Sequence, residues 1–177
     1  ALYAFRAVKE LGIPLSKNAR LILGTDEECG SSDIAVYYKQ EKEAPMTFSP
    51  DAEFPVINVE KGRLPGHFVA SFEKSDAMPK LVKIDAGLKS NVVPGKAKAV
   101  VAGVEDAVLN ETAAAVTKET EVTFTFTGCE EGVLITAEGE GAHASTPEEG
   151  KNALTALLML ITKLPLASCP QMDAVKS

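Results

Sequence analysis

The sequence predicts an α/β fold for its first third and an α+β unit for the rest. Two observations support the first prediction: short apolar runs alternate with segments of helical periodicity, and turn residues separate them. Helix, strand, helix and strand are predicted in turn over residues 1–12, 20–23, 34–39 (with Asp33 as the helix cap) and 45–51. This alternation is typical of an open α/β sheet.

A run of turn residues at 61–66 marks a change of pattern, so we place a domain boundary between residues 1–60 and 61–177. The second unit is predicted to be an α+β layer of strands with two helices. Strands are expected at 68–72 and 81–86, a helix at 105–118, a hairpin of 122–126 with 133–138, and a final helix from a capping box at Thr146 and Glu149 through Ile161.

Charge and composition exclude several classes of partner. The 177 residues include 18 basic and 25 acidic side chains, and the net charge of -7 argues against nucleic acid or an anionic membrane. The three cysteines lack CxxC spacing, which fits a reducing compartment. No apolar stretch approaches the roughly 18 residues of a membrane span, and no signal peptide is apparent. We therefore expect a cytoplasmic protein, and the first residue, which is not methionine, suggests a piece of a longer chain.

Acidic side chains follow both predicted strands of the first unit. Glu27 and Glu28 come after the apolar run at 21–23, and Asp51 follows the second strand. Because ligand groups gather at the carboxyl ends of strands in open α/β sheets, we expect these three carboxylates at one edge. One carboxylate can bind a cation while its neighbour takes a proton from an attacking water. The alternative is that the glutamate pair merely opens a solvated loop.

Two further candidates lie in the second unit. His143 stands among small residues ahead of a helix start, where an imidazole can approach a ligand and donate a hydrogen bond to an oxyanion. The alternative is a solvated loop histidine, and His67, in a Gly/Pro turn, is predicted to be structural. Asn91 precedes a Val-Val-Pro strand, and its alternative is a simple Asx turn.

Taken together and in order, five segments resemble the two-metal peptidase and deacylase family that includes acetylornithine deacetylase, succinyl-diaminopimelate desuccinylase and carnosinase. The segment around Asp51 is most similar to the PepV-like dipeptidase branch. The five segments are GTDEE at 24–28, SPDAEFP at 49–55, NVVP at 91–94, GAHASTP at 141–147 and GKNA at 150–153.

This resemblance implies a role for each candidate. Glu27 would be the general base, and Glu28 and Asp51 would each bind one of two divalent cations, zinc first, with manganese or cobalt as alternatives. His143 would stabilise the oxyanion, and Asn91 would contact substrate. Residues 1–60 would be part of the catalytic domain, and residues 61–177 the first half of a ferredoxin-like β-α-β-β-α lid that closes over the metals.

The chain also departs from the family's pattern. The resemblance implies five metal ligands, of which only Glu28 and Asp51 occur here, and no His-x-Asp is present. We therefore expect a central fragment that needs the missing N- and C-terminal parts of the same protein and is inactive alone. The expected function of the whole protein is hydrolysis of dipeptides or short peptides. The alternatives are an amino-acid deacylase of the acetylornithine or succinyl-diaminopimelate type and a non-catalytic module that keeps the fold.

Overall fold

The computed structural model describes residues 1–51, 55–62, 64–73 and 75–176, and the chain divides into two units, Ala1–Glu60 and Lys61–Ser177. Helices and a β-sheet are both present, which confirms the mixed α/β class. None of the described helices combines the length and the apolar character that crossing a membrane requires.

The regular secondary structure described in the first unit is helical. Helix α1 spans Leu2–Glu10 and helix α2 spans Ser32–Tyr37, with a 3-10 turn at Glu27–Cys29 before α2. The predicted helix over residues 1–12 is therefore confirmed. An i,i+4 ion pair between Arg6 and Glu10, 2.7 Å apart, lies along its exposed surface.

The two strands predicted for this unit do not form among its described residues. Residues 20–23 and 45–51 are irregular, so the predicted open sheet is not found there. A strand requires a neighbouring strand to accept and donate its backbone hydrogen bonds, and the described part of this unit provides none. The cap assignment was also wrong, because α2 begins at Ser32 and Asp33 lies inside its first turn.

The strands of the second unit are β1 Lys80–Ala86, β2 Val92–Val93, β3 Lys96–Ala102, β4 Thr123–Cys129, β5 Gly132–Glu138 and β6 Ala142–His143, and its helices are α3 Asp106–Thr120, α4 Ala153–Lys163 and α5 Pro170–Lys176. Strands β1, β3, β5 and β4, in this order, form a four-stranded antiparallel sheet, and β2 pairs with β6 in a two-stranded ladder. The predicted strand at 81–86, helix at 105–118 and hairpin form, whereas no strand was predicted over β3, and β6 lies between the hairpin and α4. The ferredoxin-like arrangement and the role as a lid stay predictions.

The core lies between one face of the sheet and helices α3 and α4. Every second residue from 97 to 101 in β3, and Ile135 and Ala137 in β5, belong to this core, as expected of strands with one covered face. Val100 is buried as well, outside this cluster. From the helices, Leu109, Leu157 and Leu160 are fully buried against these strands. The predicted strand at 68–72 was wrong: these residues are irregular, and Phe68 is completely exposed, so no packing holds the segment in a sheet.

The final helix begins later than its capping box predicts. Thr146 precedes a separate 3-10 turn, Pro147–Glu149, and its hydroxyl lies 3.1 Å from the Glu149 carboxylate. Helix α4 is instead capped by Asn152, whose Oδ1 accepts from the amides of Leu154 and Thr155 at 3.0 and 3.1 Å. The 3-10 turn does not continue into α4, because the backbone of Gly150 is extended and the next residue, Lys151, pairs with Glu140.

Candidate functional site

Glu27 and Glu28 form a 3-10 turn with Cys29, and both glutamates are exposed. Gly30 ends the turn at a φ of 102°, a left-handed conformation that glycine adopts without steric cost. The turn therefore presents two adjacent carboxylates to solvent on a short, sharply bounded segment.

Two aspartates hold this turn at its ends. The Asp33 carboxylate accepts a hydrogen bond from the Thr25 amide at 2.6 Å, ahead of the turn. The Asp26 carboxylate accepts from the Ser32 amide at 2.9 Å, behind it, and also contacts the Ser32 hydroxyl. The hydrogen bond from Thr25 lowers the pKa of Asp33, because it stabilises the ionised carboxylate. The glutamate pair is thus supported by carboxylate-to-backbone bonds on both sides.

Asp51, the third predicted carboxylate, lies exposed in an irregular segment of the same unit, and its amide donates to the Ser49 carbonyl at 3.1 Å. Residues 52–54 of its predicted motif are outside the described residues. Across the described parts of the chain, no three His, Cys, Asp or Glu side chains converge in a way that could hold a metal ion. Glu28 and Asp51 alone cannot satisfy a pair of four-coordinate or higher cations, so their role as ligands stays a prediction.

Asn91 and His143 are far apart in sequence, and the structure brings them together in one ladder. Val92 of β2 pairs with His143 of β6, and Val93 pairs with Ala142. The ladder continues one step further, because the Ala144 amide donates to the Asn91 carbonyl at 2.8 Å. Asn91 therefore directly precedes the β2 residue that pairs with His143, and its own backbone partner is Ala144.

The His143 imidazole is exposed, but its ring is tied to the turn that follows β6. The Thr146 amide donates to the His143 carbonyl at 3.0 Å and closes a turn over residues 143–146. Inside this turn, Nδ1 of His143 lies 2.7 Å from the Ser145 hydroxyl and 3.2 Å from the Ser145 amide nitrogen. The Nζ of Lys61 donates to the Ser145 carbonyl. The ring thus has a defined orientation despite its exposure.

The loop that carries His143 is closed at its base by Glu140 and Lys151. Their backbones exchange two hydrogen bonds, of 3.0 and 2.9 Å, and the Lys151 ammonium lies 3.3 Å from the Glu140 carboxylate. Lys151 also pairs with Glu121 at 2.8 Å, just beyond the end of α3. The hydrogen bond to Glu121 is the main cause of the raised pKa of Lys151, and the same bond lowers the pKa of Glu121. Loop and helix are therefore tied by one cation.

Several of these supporting residues were not found from the sequence. Asp26, Lys61, Ser145 and Lys151 carry no chemical signature of their own, although a serine two residues after a histidine could have indicated a side-chain-to-backbone turn. His67 lies exposed in an irregular segment and is not a member of the β2–β6 ladder.

No family model matches this chain. The Beta-Ala-Xaa dipeptidase of Lactobacillus delbrueckii subsp. lactis is 33% identical to it over 169 residues, which are 94% of this chain and 36% of that protein. The Bacillus subtilis (strain 168) protein "Putative dipeptidase YtjP" is 43% identical over 105 residues, 58% of this chain and 23% of that protein. The chain is homologous to dipeptidases. It spans about a third or less of the length of these curated relatives.

Proposed function

We propose that this chain is the central part of a metal-dependent dipeptidase. The observation that supports the proposal most is its 33% identity to a Beta-Ala-Xaa dipeptidase along 94% of the chain. The exposed glutamate pair and the ladder that joins Asn91 to His143 agree with it, because peptide hydrolysis needs a base for water and a donor for the oxyanion.

Each candidate residue is proposed to have one role in the reaction. Glu27 would take a proton from the attacking water and pass it to the leaving amine, while His143 would donate a hydrogen bond to the tetrahedral oxyanion. Asn91, one residue before the Val92 that pairs with His143, would contact the peptide. Glu28 and Asp51 would each contribute one metal ligand, and the remaining ligands would come from parts of the protein outside this chain.

Two divalent cations, zinc first and manganese or cobalt as alternatives, would activate the water and hold the scissile carbonyl. The 177-residue chain by itself would therefore be inactive, since two carboxylates cannot hold both cations. Small unblocked peptides are the proposed substrates, and β-alanyl dipeptides belong in the assay because the Lactobacillus relative is named for them.

The test is a dipeptidase assay on a longer protein that contains this chain with its flanking sequence, in the presence of zinc or manganese. We expect turnover from the wild type and a loss of kcat by about 10²–10⁴ in Glu27→Gln, the range typical of a general base. Glu43→Gln, at another exposed glutamate of the same unit, is the matched control and should keep full activity. Full activity in Glu27→Gln, or turnover of acylated amino acids alone, would contradict the proposal.

A further inference from the structure

His143 occupies the first position of a four-residue turn, and its ring nitrogen bonds to the backbone two residues on. The turn is closed by the 3.0 Å hydrogen bond from the Thr146 amide to the His143 carbonyl. Asn and Asp at the first position of a turn accept a hydrogen bond from the amide two residues later, in an Asx turn. Here Nδ1 of the imidazole takes the place of the Asn or Asp oxygen, with 3.2 Å to the Ser145 amide nitrogen.

This contact distinguishes the two neutral forms of the ring. A backbone amide can only donate, so Nδ1 must offer its lone pair and cannot itself carry the proton. The Ser145 hydroxyl, 2.7 Å from the same nitrogen, can donate or accept; when Nδ1 accepts from the amide, the hydroxyl also donates to it, and the two donors share its single lone pair. With Nδ1 as acceptor, the single proton of the neutral imidazole lies on Nε2.

The position of Ser145 is itself fixed by neighbouring residues. Its carbonyl accepts from the Lys61 ammonium, and the residue before it, Ala144, donates its amide to Asn91 at 2.8 Å. The amide and the hydroxyl that face Nδ1 therefore come from a turn anchored on both sides, and they do not depend on a freely rotating chain.

We infer that Ser145 is a positioning residue that holds the neutral His143 ring in the Nε2–H tautomer. In this tautomer Nε2–H is the hydrogen-bond donor of the ring, and Nδ1, its only acceptor, faces Ser145. Toward the proposed function, on which this consequence rests, such a donor is what an oxyanion requires, whereas the opposite tautomer would present a lone pair to it. The tautomer itself is a property of the chain that can be measured without any activity.

The experiment is a long-range ¹H–¹⁵N correlation spectrum of the full 177-residue chain, labelled with ¹⁵N-histidine. It is recorded near pH 9, about 2.5 units above the ordinary histidine pKa, where neutral imidazole is the main form. The chain has only two histidines, and His67→Gln assigns the remaining signal to His143. We expect the Nε2–H pattern for His143. A wild-type ring that is mainly protonated on Nδ1 overturns the inference.

Variants of Ser145 test its role. Ser145→Ala removes the hydroxyl and should lower the ratio of the Nε2–H to the Nδ1–H form about threefold to tenfold, as expected for the loss of one ordinary hydrogen bond. Ser145→Thr keeps the hydroxyl and should restore the wild-type ratio. Ser168→Ala is the matched control, because its hydroxyl bonds to Asp173 at 2.9 Å, outside the turn. An unchanged ratio in a folded Ser145→Ala variant, or an equal change in Ser168→Ala, overturns the assignment.

The spectrum and the activity assay separate the two proposals. In the longer protein we expect Ser145→Ala to lower kcat while KM is kept, by less than the change in the tautomer ratio because kcat follows the fraction of rings in the Nε2–H form, and Ser145→Thr to restore it. If His143 shows the Nε2–H pattern but His143→Ala keeps full dipeptidase activity, the proposed function fails and the tautomer stands. If His143→Ala is inactive but the wild-type ring is protonated on Nδ1, the proposed function stands and the role of Ser145 fails.

Discussion

The carbonyl of Asn91 accepts a hydrogen bond from the amide of Ala144, with 2.8 Å between nitrogen and oxygen. This bond extends the two-residue ladder of β2 and β6 by one step, to the residue that directly follows His143. It links two segments that lie about fifty residues apart in the sequence and fixes the turn that orients the imidazole.

Ala144→Pro is expected to disturb this ladder, because proline has no amide proton to donate. The cost should be about 1–3 kcal/mol, the range for a hydrogen-bonding group left without its partner. Thermal unfolding of the whole chain measures it, and the His143 ring signals should shift as well. Ala144→Gly keeps the donor and should change the unfolding free energy by less. Equal stability of the proline and glycine variants would show that the bond contributes nothing.

Lys151→Met is expected to make the stability of the fold depend less on pH in the acidic range. The pKa of Glu121 is lowered in the folded chain by its hydrogen bond from Lys151, so this pair stabilises the fold above the ordinary glutamate pKa. That contribution is lost as the pH falls through the lowered pKa. Melting temperatures between neutral pH and about pH 3 should therefore decline less in Lys151→Met than in the wild type. Lys89→Met, at an exposed lysine elsewhere, is the control and should lose as much melting temperature as the wild type. If the melting temperature of Lys151→Met falls as much as that of the wild type, the prediction is wrong.

Gly132→Ala is expected to destabilise the hairpin of β4 and β5. Gly132 has a φ of 141°, and an added Cβ would meet the carbonyl oxygen of Val101 on the neighbouring strand. Backbone strain and overpacking together should cost at least about 2 kcal/mol. Gly128→Ala is the matched control in the same hairpin, because its Cβ would meet nothing within 4 Å. Denaturant unfolding compares them, and similar midpoints for both variants would show that the strand spacing at Gly132 can relax.

Leu157→Ala is expected to cost about 2–5 kcal/mol, because it removes a fully buried side chain and leaves a cavity between α4 and the sheet. Leu88→Ala makes the same chemical change at a side chain that is 101% exposed, and it should stay within about 0.5 kcal/mol of the wild type. Urea unfolding of the whole chain gives both values. A small effect at Leu157 would mean that the core repacks around the missing atoms.

Sequence patterns predicted the elements whose signal is carried within the segment itself. The helix at Leu2–Glu10, the helix at Asp106–Thr120 and the hairpin of β4 and β5 follow from helical spacing or from alternation on one covered face. The strands expected at 20–23, 45–51 and 68–72 do not form among the described residues, because a short apolar run becomes a strand only beside another strand.

The candidate site, too, was predictable from the sequence only where the signal lies within one segment. His143 and Asn91 were identifiable as residue types in a motif, but the approach of their two segments depends on a ladder between β2 and β6 that no local pattern encodes. Ser145 and Lys151 act through contacts with a turn and with a helix end, so they become visible only in three dimensions. A local signal also misplaced the start of α4, because Thr146 and Asn152 are both good helix caps and the loop closure at Lys151 decides between them.

The two-residue ladder between β2 and β6 also limits how the length of this region can vary. Side chains alternate across a strand, so a slip of one residue in the pairing of Val92 with His143 would rotate the imidazole to the opposite face. The number of residues between the ladder and the Glu140–Lys151 closure can therefore neither rise nor fall without moving the imidazole. Insertions and deletions should be tolerated in the exposed segment at 64–73 and rejected within 141–150.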